Sequence, residues 1–470
     1  MSESMDASFS DGGVNGGAAG GSTRLRDAAD LIEVMGVAFS DEQIEAITAD
    51  PAPGVIIAGA GTGKTTVMAA RVVWLVGRGV VTPERVLGLT FTRKATGELA
   101  ARTQAALAKL APDDERHCAV QTYDGFASRL MGEFGAWIGS DASERVLSSV
   151  EPYILADKVL RDPGSLPGHL ADKGWSTLTR AIVNLESRVQ SHLIADETIV
   201  ADAGRFIERL DQAPLWRGNP YRSLVDARQV VEERLDLLGL CQRYRQAKRR
   251  ESVVEFADQM AGAVGLATRL PGVGRALRER YGLVVVDEFQ DTSVAQVTLL
   301  SLLFGAQGGI AEYPITAVGD PLQAIYTWRG AAADNIYSFH RWFPSASQRT
   351  YTLSINRRSG AHILDAANAV ATQVRADPQL GAGLAVELRP ADQAPESTVV
   401  VREFLTVDEE VEWLADDLVE AHRRGEHERW DQVAILVRRN RDVGPVLQAC
   451  RARLVPIAVQ EVGGLLSVEA

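Results

Sequence analysis

Cysteine and histidine are scarce in this chain, and positive charge is outnumbered by negative. Three cysteines among 470 residues, Cys118, Cys241 and Cys450, stand far apart, and no pair has the spacing of a metal clip. They read as unpaired thiols of a reducing, cytoplasmic environment rather than as a disulfide framework. The seven histidines form no cluster either. No apolar run approaches a membrane span, and the N-terminus lacks the basic-then-apolar order of a signal peptide, so no membrane partner is expected. The formal net charge is −13. Such a chain is not drawn to a polyanion by its overall field, and any contact with nucleic acid must come from local patches and stacking.

What is present is ordinary for a globular protein: 46% apolar and 24% charged residues. The length suffices for roughly three domains. Residues 10–23, SDGGVNGGAAGGST, have almost nothing to bury, so 1–24 are expected to be a disordered tail, with order beginning near Leu25. A short apolar strand, Gly54 to Ala58, leads into a glycine loop, and a helix continues from Thr66 to Val76. Further buried strands are expected over Arg85 to Thr92, Leu283 to Val286 and Pro314 to Val318, with a helix from Ala95. Strands separated by helices imply a parallel sheet covered on both faces.

Residues 111–254 break that rhythm. They are helical in pattern, with Val231, Leu235 and Leu238 spaced as one buried helix face. They read as a helical insertion within an α/β domain built from 25–110 and 255–350. From 351 to 470 the α/β rhythm returns. Val399 to Phe404 and Gln432 to Arg438 are expected strands, and Val407, Val411, Leu414 and Leu418 mark an amphipathic helix between them. Too few strands are present to complete this second domain.

The chemistry concentrates in two places. Ala58 to Thr65, followed by Thr66, fit the P-loop pattern except that Ala58 stands at the first glycine. Gly59, Ala60, Gly61, Thr62 and Gly63 form a loop whose backbone N–H groups can cradle phosphate oxygens, beside a helix N-terminus of favourable charge. Lys64 should reach the β- and γ-phosphates, and the Thr65 hydroxyl should bind Mg²⁺. The competing reading is a turn that merely joins strand to helix, and the Gly-Lys-Thr register speaks against it. Far downstream, GLVVVDEFQDTS at 282–293 ends a buried strand in two carboxylates. Asp287 is placed to hold Mg²⁺, and Glu288 to act as general base toward water. An isolated Asp-Glu pair reads as a solvated turn. Together with a P-loop, it reads as a nucleoside triphosphatase using ATP and Mg²⁺.

These motifs, with FSDEQIEAI at 39–47, LTFTRKATGELAAR at 89–102, QTYDGFASRL at 121–130, GDPLQAIYTWRGA at 319–331 and NRRSGAHILDAAN at 356–368, resemble superfamily 1 DNA helicases of the UvrD/Rep/PcrA type. Related motor subunits of resection complexes are similar. The resemblance covers most of 25–470. It implies a RecA-like ATP-binding domain with a parallel sheet, an α-helical insertion and an incomplete second RecA-like domain. It implies a 3′-to-5′ helicase or translocase of DNA repair or recombination, acting on single-stranded or tailed duplex DNA, with partner subunits left open. By the same resemblance Gln43 reads the adenine edge, Gln323 senses the γ-phosphate, and Arg358 is an arginine finger. Phe91, Tyr326 and Trp328 stack on bases, and Thr92, Thr122 and Arg329 complete the DNA contacts. Core burial is the alternative for Phe91. The basic run Arg243, Arg245, Lys248, Arg249 and Arg250 is open between a DNA track and a solvated helix face.

The chain departs from the pattern in three ways. Arg357 stands where many relatives carry a tyrosine that stacks on adenine, and Tyr123 replaces a common histidine. The motifs that would follow Ala470 are absent. The rival reading is therefore a module that binds ATP and single-stranded DNA without motor activity.

Overall fold

The computed structural model describes residues 24–139, 144–148, 150–162, 166–215, 219–327, 330–332, 334–376 and 386–459. The expected glycine-rich tail lies outside them, apart from Arg24. The chain divides into two compact units, residues 1–397 and 398–470.

Among its described residues the first unit has ten strands: β1 (Gly54–Ala58), β2 (Val86–Thr90), β3 (Ala119–Thr122), β4 (Arg145–Val146), β5 (Val253–Val254), β6 (Leu283–Val286), β7 (Ile315–Gly319), β8 (Arg349–Leu353), β9 (Ile355–Asn356) and β10 (Arg389–Pro390). Six of them form one sheet in the order β3-β2-β6-β7-β1-β8, and every pairing in it is parallel. The apolar runs explain this. Successive strand side chains point to opposite faces. Val55, Ile57, Val284 and Val286 enter one core with Phe126, Leu299 and Phe304. Ile56, Ala58, Leu283 and Val285 enter a second core with Val67, Val73 and Leu99. A strand buried on both faces must be apolar throughout, and such strands occur where helices cover both sides of a parallel sheet. Each fully buried Val or Leu contributes about 1.5–3 kcal/mol relative to exposure.

The expected domain boundaries are corrected at two places. Ala119–Thr122, assigned above to the helical insertion, is the edge strand β3, with Leu87 opposite Ala119 and Thr90 opposite Thr122. The Tyr123–Phe134 helix follows it into the sheet's core. Tyr351 and Leu353, assigned to the second domain, belong to β8 and pair with Ile56 and Ala58 of β1. Both strands are short and half polar, so only their long-range partners reveal them.

The helices between β4 and β5 form a separate hydrophobic cluster. Leu155 and Leu160 from Glu151–Arg161, Ile182 from Trp175–His192, and Leu240, Cys241 and Tyr244 from Arg222–Arg250 pack together. Two members of the basic run are neither a DNA track nor a solvated face. Arg245 Nε donates to Glu186 at 2.7 Å and its Nη1 to Asp196 at 2.7 Å. Lys248, buried, meets Asp258 at 2.6 Å, Glu255 at 3.0 Å and the fully buried Glu186 at 3.5 Å. Burial works against the Lys248 ammonium, but these three carboxylates outweigh it and hold its pKa above the ordinary lysine value. Glu255 and Asp258 begin the Phe256–Arg269 helix, which packs into the main core. The cluster therefore ties the Arg222–Arg250 and Trp175–His192 helices to the helix packed on the sheet.

In the second unit, Val411 and Ala415 of the Val407–Arg423 helix pack against Val446, Ala449 and Cys450 of Val443–Ala452. The strands expected at Val399 to Phe404 and Gln432 to Arg438 do not form: no ladder pairs either segment among the described residues. Val401 and Leu436 are exposed. An alternating apolar pattern suits a strand only where a neighbouring strand supplies its hydrogen-bond partners. No helix among the described residues is long and apolar enough to cross a membrane.

Lys248→Met should expose the cost of the buried cluster. Removing the cation leaves carboxylates buried without their partner, and one-sided breakage of a buried pair costs about 3–5 kcal/mol. Urea denaturation should show a loss of that order. A loss below about 1 kcal/mol would mean the cluster is effectively hydrated.

Candidate nucleotide site

Parallel strands direct all their carboxyl ends to one edge, and that is where the predicted residues gather. β1 ends at Ala58 and the chain turns through Gly59 to Gly63 into the Lys64–Gly77 helix. Gly61 and Gly63 adopt φ of +71° and +83°, left-handed values that disfavour other residues. Ala58 is fully buried as the last residue of β1, which accommodates a methyl where the pattern has glycine. Thr65 and Thr66 lie in the helix's first turn, and Arg102 donates to Thr66 Oγ1.

The loop is clasped from the other end of the sheet domain. Asn356 Nδ2 donates to Ala60 O at 2.6 Å, and Arg357 N donates to Gly61 O at 3.0 Å. Asn356 Oδ1 accepts from the N–H groups of Arg358 and Ser359, each at 2.8 Å. The Arg358 backbone is thus tied to the loop while its side chain stays exposed. Arg357 Nη1 donates to Ala38 O at 2.5 Å.

Lys64 lies over the end of β6. Its Nζ donates to Glu288 Oε2 at 3.1 Å and to Gln323 Oε1 at 3.3 Å. Gln323 Nε2 in turn donates to Asp320 at 2.7 Å. Glu288 has φ +47° and ψ +47°, an unusual conformation for a residue other than glycine, which turns its carboxylate away from the strand axis. Gln290, buried, holds that carboxylate. Its Nε2 donates to Glu288 Oε2 at 2.9 Å, and its Oε1 accepts from Asp320 N at 2.9 Å. Asp287 is buried at the strand end. Burial, reinforced by the Glu288 charge, pushes its carboxyl up to about 6. A nearby cation would reverse that shift. Tyr123, also buried, donates to Asp287 O at 3.4 Å.

No group of three or more His, Cys, Asp or Glu among the described residues could hold a metal ion unaided. That fits Mg²⁺, which takes one or two protein carboxylates and completes its shell with phosphate oxygens and water. Asp287 at the end of β6 and Thr65 in the first turn after the loop are oxygen-bearing side chains at this edge.

Gln43 is buried beside the loop. Its Oε1 accepts from Ser40 N at 2.9 Å in a capping box, and its Nε2 donates to Thr62 O at 2.9 Å. One N–H and one lone pair of the amide are left for a ligand.

The residues matched to DNA contacts lie along the same edge. Phe91 is half-buried rather than core, and its ring stacks on Tyr326 with centroids 4.9 Å apart and 28° between planes. Thr92 caps the Arg93–Leu110 helix, accepting from Ala95 N at 3.1 Å. Thr122 caps Tyr123–Phe134, accepting from Gly125 N at 3.0 Å. Trp328 and Arg329 lie outside the described residues.

Sequence reasoning assigned no role to Gln290 or Asn356. Both sit inside quoted motifs, but their partners, Asp320 and Ala60, are far away in the chain, and no local spacing signals them.

A P-loop on a parallel sheet, with a lysine facing an acidic strand end, defines a nucleotide-binding α/β domain. The family described as UvrD/REP helicase N-terminal domain matches residues 39–344. The chain belongs to that family. It is 29% identical to ATP-dependent DNA helicase PcrA of Leuconostoc citreum over 339 residues, 72% of this chain and 40% of that protein. It is 30% identical to DNA helicase II of Escherichia coli K12 over 332 residues, 71% of this chain and 40% of that protein. A PcrA of Staphylococcus epidermidis is 26% identical over 402 residues, 86% of this chain and 48% of that protein. The chain thus spans less than half the length of these relatives.

Gly61→Ala should damage the loop. The added methyl would sit 2.5 Å from Asn356 Nδ2 in a left-handed backbone. A stability loss of about 1–3 kcal/mol is expected by thermal unfolding, with weakened nucleotide binding. An unchanged melting curve would mean that the loop relaxes freely.

Proposed function

We propose that this chain is the ATP-binding and first DNA-binding part of a 3′-to-5′ DNA helicase, a single-stranded DNA translocase of repair or recombination. Its substrates are ATP and single-stranded or tailed duplex DNA, in the cytoplasm. We read the sheet with its flanking helices as the first RecA-like domain, the 147–253 core as an inserted subdomain, and the segment after β8 as the start of a second motor domain.

In this reading the loop N–H groups and Lys64 bind the β- and γ-phosphates. Thr65 and Asp287 would hold Mg²⁺, whose charge would offset that of the phosphates. Glu288 accepts the proton of the attacking water, aimed by Gln290. Arg358 is the arginine finger and Gln43 the adenine contact. Phe91 and Tyr326 stack on bases regardless of sequence, and Thr92 and Thr122 sit at helix N-termini suited to backbone phosphates.

The observation that carries this reading is a short covalent path. Gln323 contacts Lys64, and three residues later Tyr326 stacks on Phe91. Three residues of chain thus link the phosphate end to the aromatic pair. The acidic motif joins from the other side: burial pushes Asp291 up to about 6, while the backbone N–H groups of Tyr326 and Ile325 favour its charged form.

Glu288→Gln separates binding from hydrolysis. The amide keeps the shape but accepts no proton, so DNA-stimulated ATP hydrolysis should fall about 10²-fold or more, with Mg-ATP binding retained. Turnover at the parental rate would remove Glu288 as the base. Tyr326→Ala should weaken single-stranded DNA binding by about 1–3 kcal/mol, equally for unrelated base sequences. Unchanged affinity in a fluorescence titration would show that Tyr326 serves the fold alone.

A further inference from the structure

Arg71 lies in the middle of the Lys64–Gly77 helix, one turn and more beyond the phosphate loop, and only 2% of its surface is exposed. Its guanidinium reaches out to two other elements. Nε donates to Thr316 Oγ1 on β7 at 2.8 Å. Nη1 faces the carbonyls of Ala46 at 3.2 Å, Ile47 at 3.2 Å and Ala49 at 2.9 Å. Nη2 donates to Asp50 O at 3.0 Å. All these acceptors are uncharged, so a buried cation is spent on carbonyl and hydroxyl oxygens. Burial lowers its pKa to about 10, still charged at neutral pH.

Those carbonyls close the Asp41–Thr48 helix. The last four carbonyls of a helix lack intrahelical partners, and a cation there complements the helix dipole. Eight residues are too few to form a stable helix alone. Its position therefore depends on what grips its ends. Arg71 grips the C-terminal end. At the other end Glu42 accepts from Ser354 N at 2.8 Å and from Ser354 Oγ at 2.6 Å. Between these grips Gln43 faces the loop, its Nε2 bonded to Thr62 O.

We propose that Arg71 is a positioning residue for base recognition. Its planar fork locks the Asp41–Thr48 helix to the phosphate-loop helix and to β7. This fixes where the remaining donor and acceptor of Gln43 lie relative to the phosphate cradle, and so sets a preference for adenine over guanine. An amide matches the adjacent amino donor and ring-nitrogen acceptor of adenine, whereas guanine offers two acceptors there. Lysine cannot replace the fork, because an ammonium is a point charge with no plane to span three elements. The inference rests on reading Gln43 as the adenine contact.

The test measures dissociation constants for fluorescent ATP and GTP analogues on the 470-residue chain. The readout is their ratio, since general loosening of the fold weakens both alike. Arg71→Lys is expected to lower the preference for ATP about fivefold, the worth of about one hydrogen bond. Gln43→Ala should lower it equally, and the double variant no further. A lowered preference in Gln43→Ala with an unchanged ratio in Arg71→Lys overturns the proposal and spares the adenine reading. So does an equal loss of both affinities in Arg71→Lys. An unchanged ratio in Gln43→Ala overturns the adenine reading and the proposal with it. If circular dichroism shows Arg71→Lys unfolded, Thr316→Val decides instead, since it is isosteric and removes one of the acceptors. Its preference should fall about twofold, and an unchanged ratio there overturns the proposal.

Discussion

The site is organised around the Lys64 ammonium. It is held between a carboxylate and an amide at the carboxyl edge of a parallel sheet, so it joins groups that follow three different strands. Lys64 follows β1, Glu288 follows β6 and Gln323 follows β7. Those three strands lie side by side in the sheet, so the lysine reports their relative placement directly. Phosphate oxygens arriving at Lys64 would compete with Glu288 for one ammonium, because both are anionic acceptors.

Much of this was legible in the sequence because the informative residues are contiguous. GAGTGKTT and VVVDEFQD each place glycine, lysine or carboxylate where no other residue type does the same chemistry. The continuous apolar runs of β1 and β6 announce strands buried on both faces. Features that depend on distant partners were not legible. β3 is four residues of mixed polarity, defined by its ladder to β2. The segments at 399–404 and 432–438 carry strand-like alternation without a ladder. Gln290 and Asn356 read locally as polar loop residues, and only the approach of Asp320 and Ala60 gives them work.

The basic run makes the same point electrostatically. Arg245 and Lys248 look like a solvated helix face by composition, since lysine and arginine are rarely buried. Glu186, Glu255 and Asp258 invert that expectation. They arrive from two other helices, so both cations find carboxylate partners at this junction. An ionic joint of this kind is directional. It resists a helix sliding or rotating more sharply than an apolar contact of equal area, which slips at constant burial.

The Phe91–Tyr326 stack has a consequence for how a nucleic-acid chain could enter. Each ring already covers a face of the other, so the pair is its own competitor. A base that inserts gains two aromatic faces and forfeits the one the rings shared. The net gain is therefore about one stacking rather than two. A pocket that reseals itself behind a departing base releases its cargo cheaply. Under the proposed translocase reading, such shallow binding would be an advantage, because the depth of each well sets the height of the next barrier.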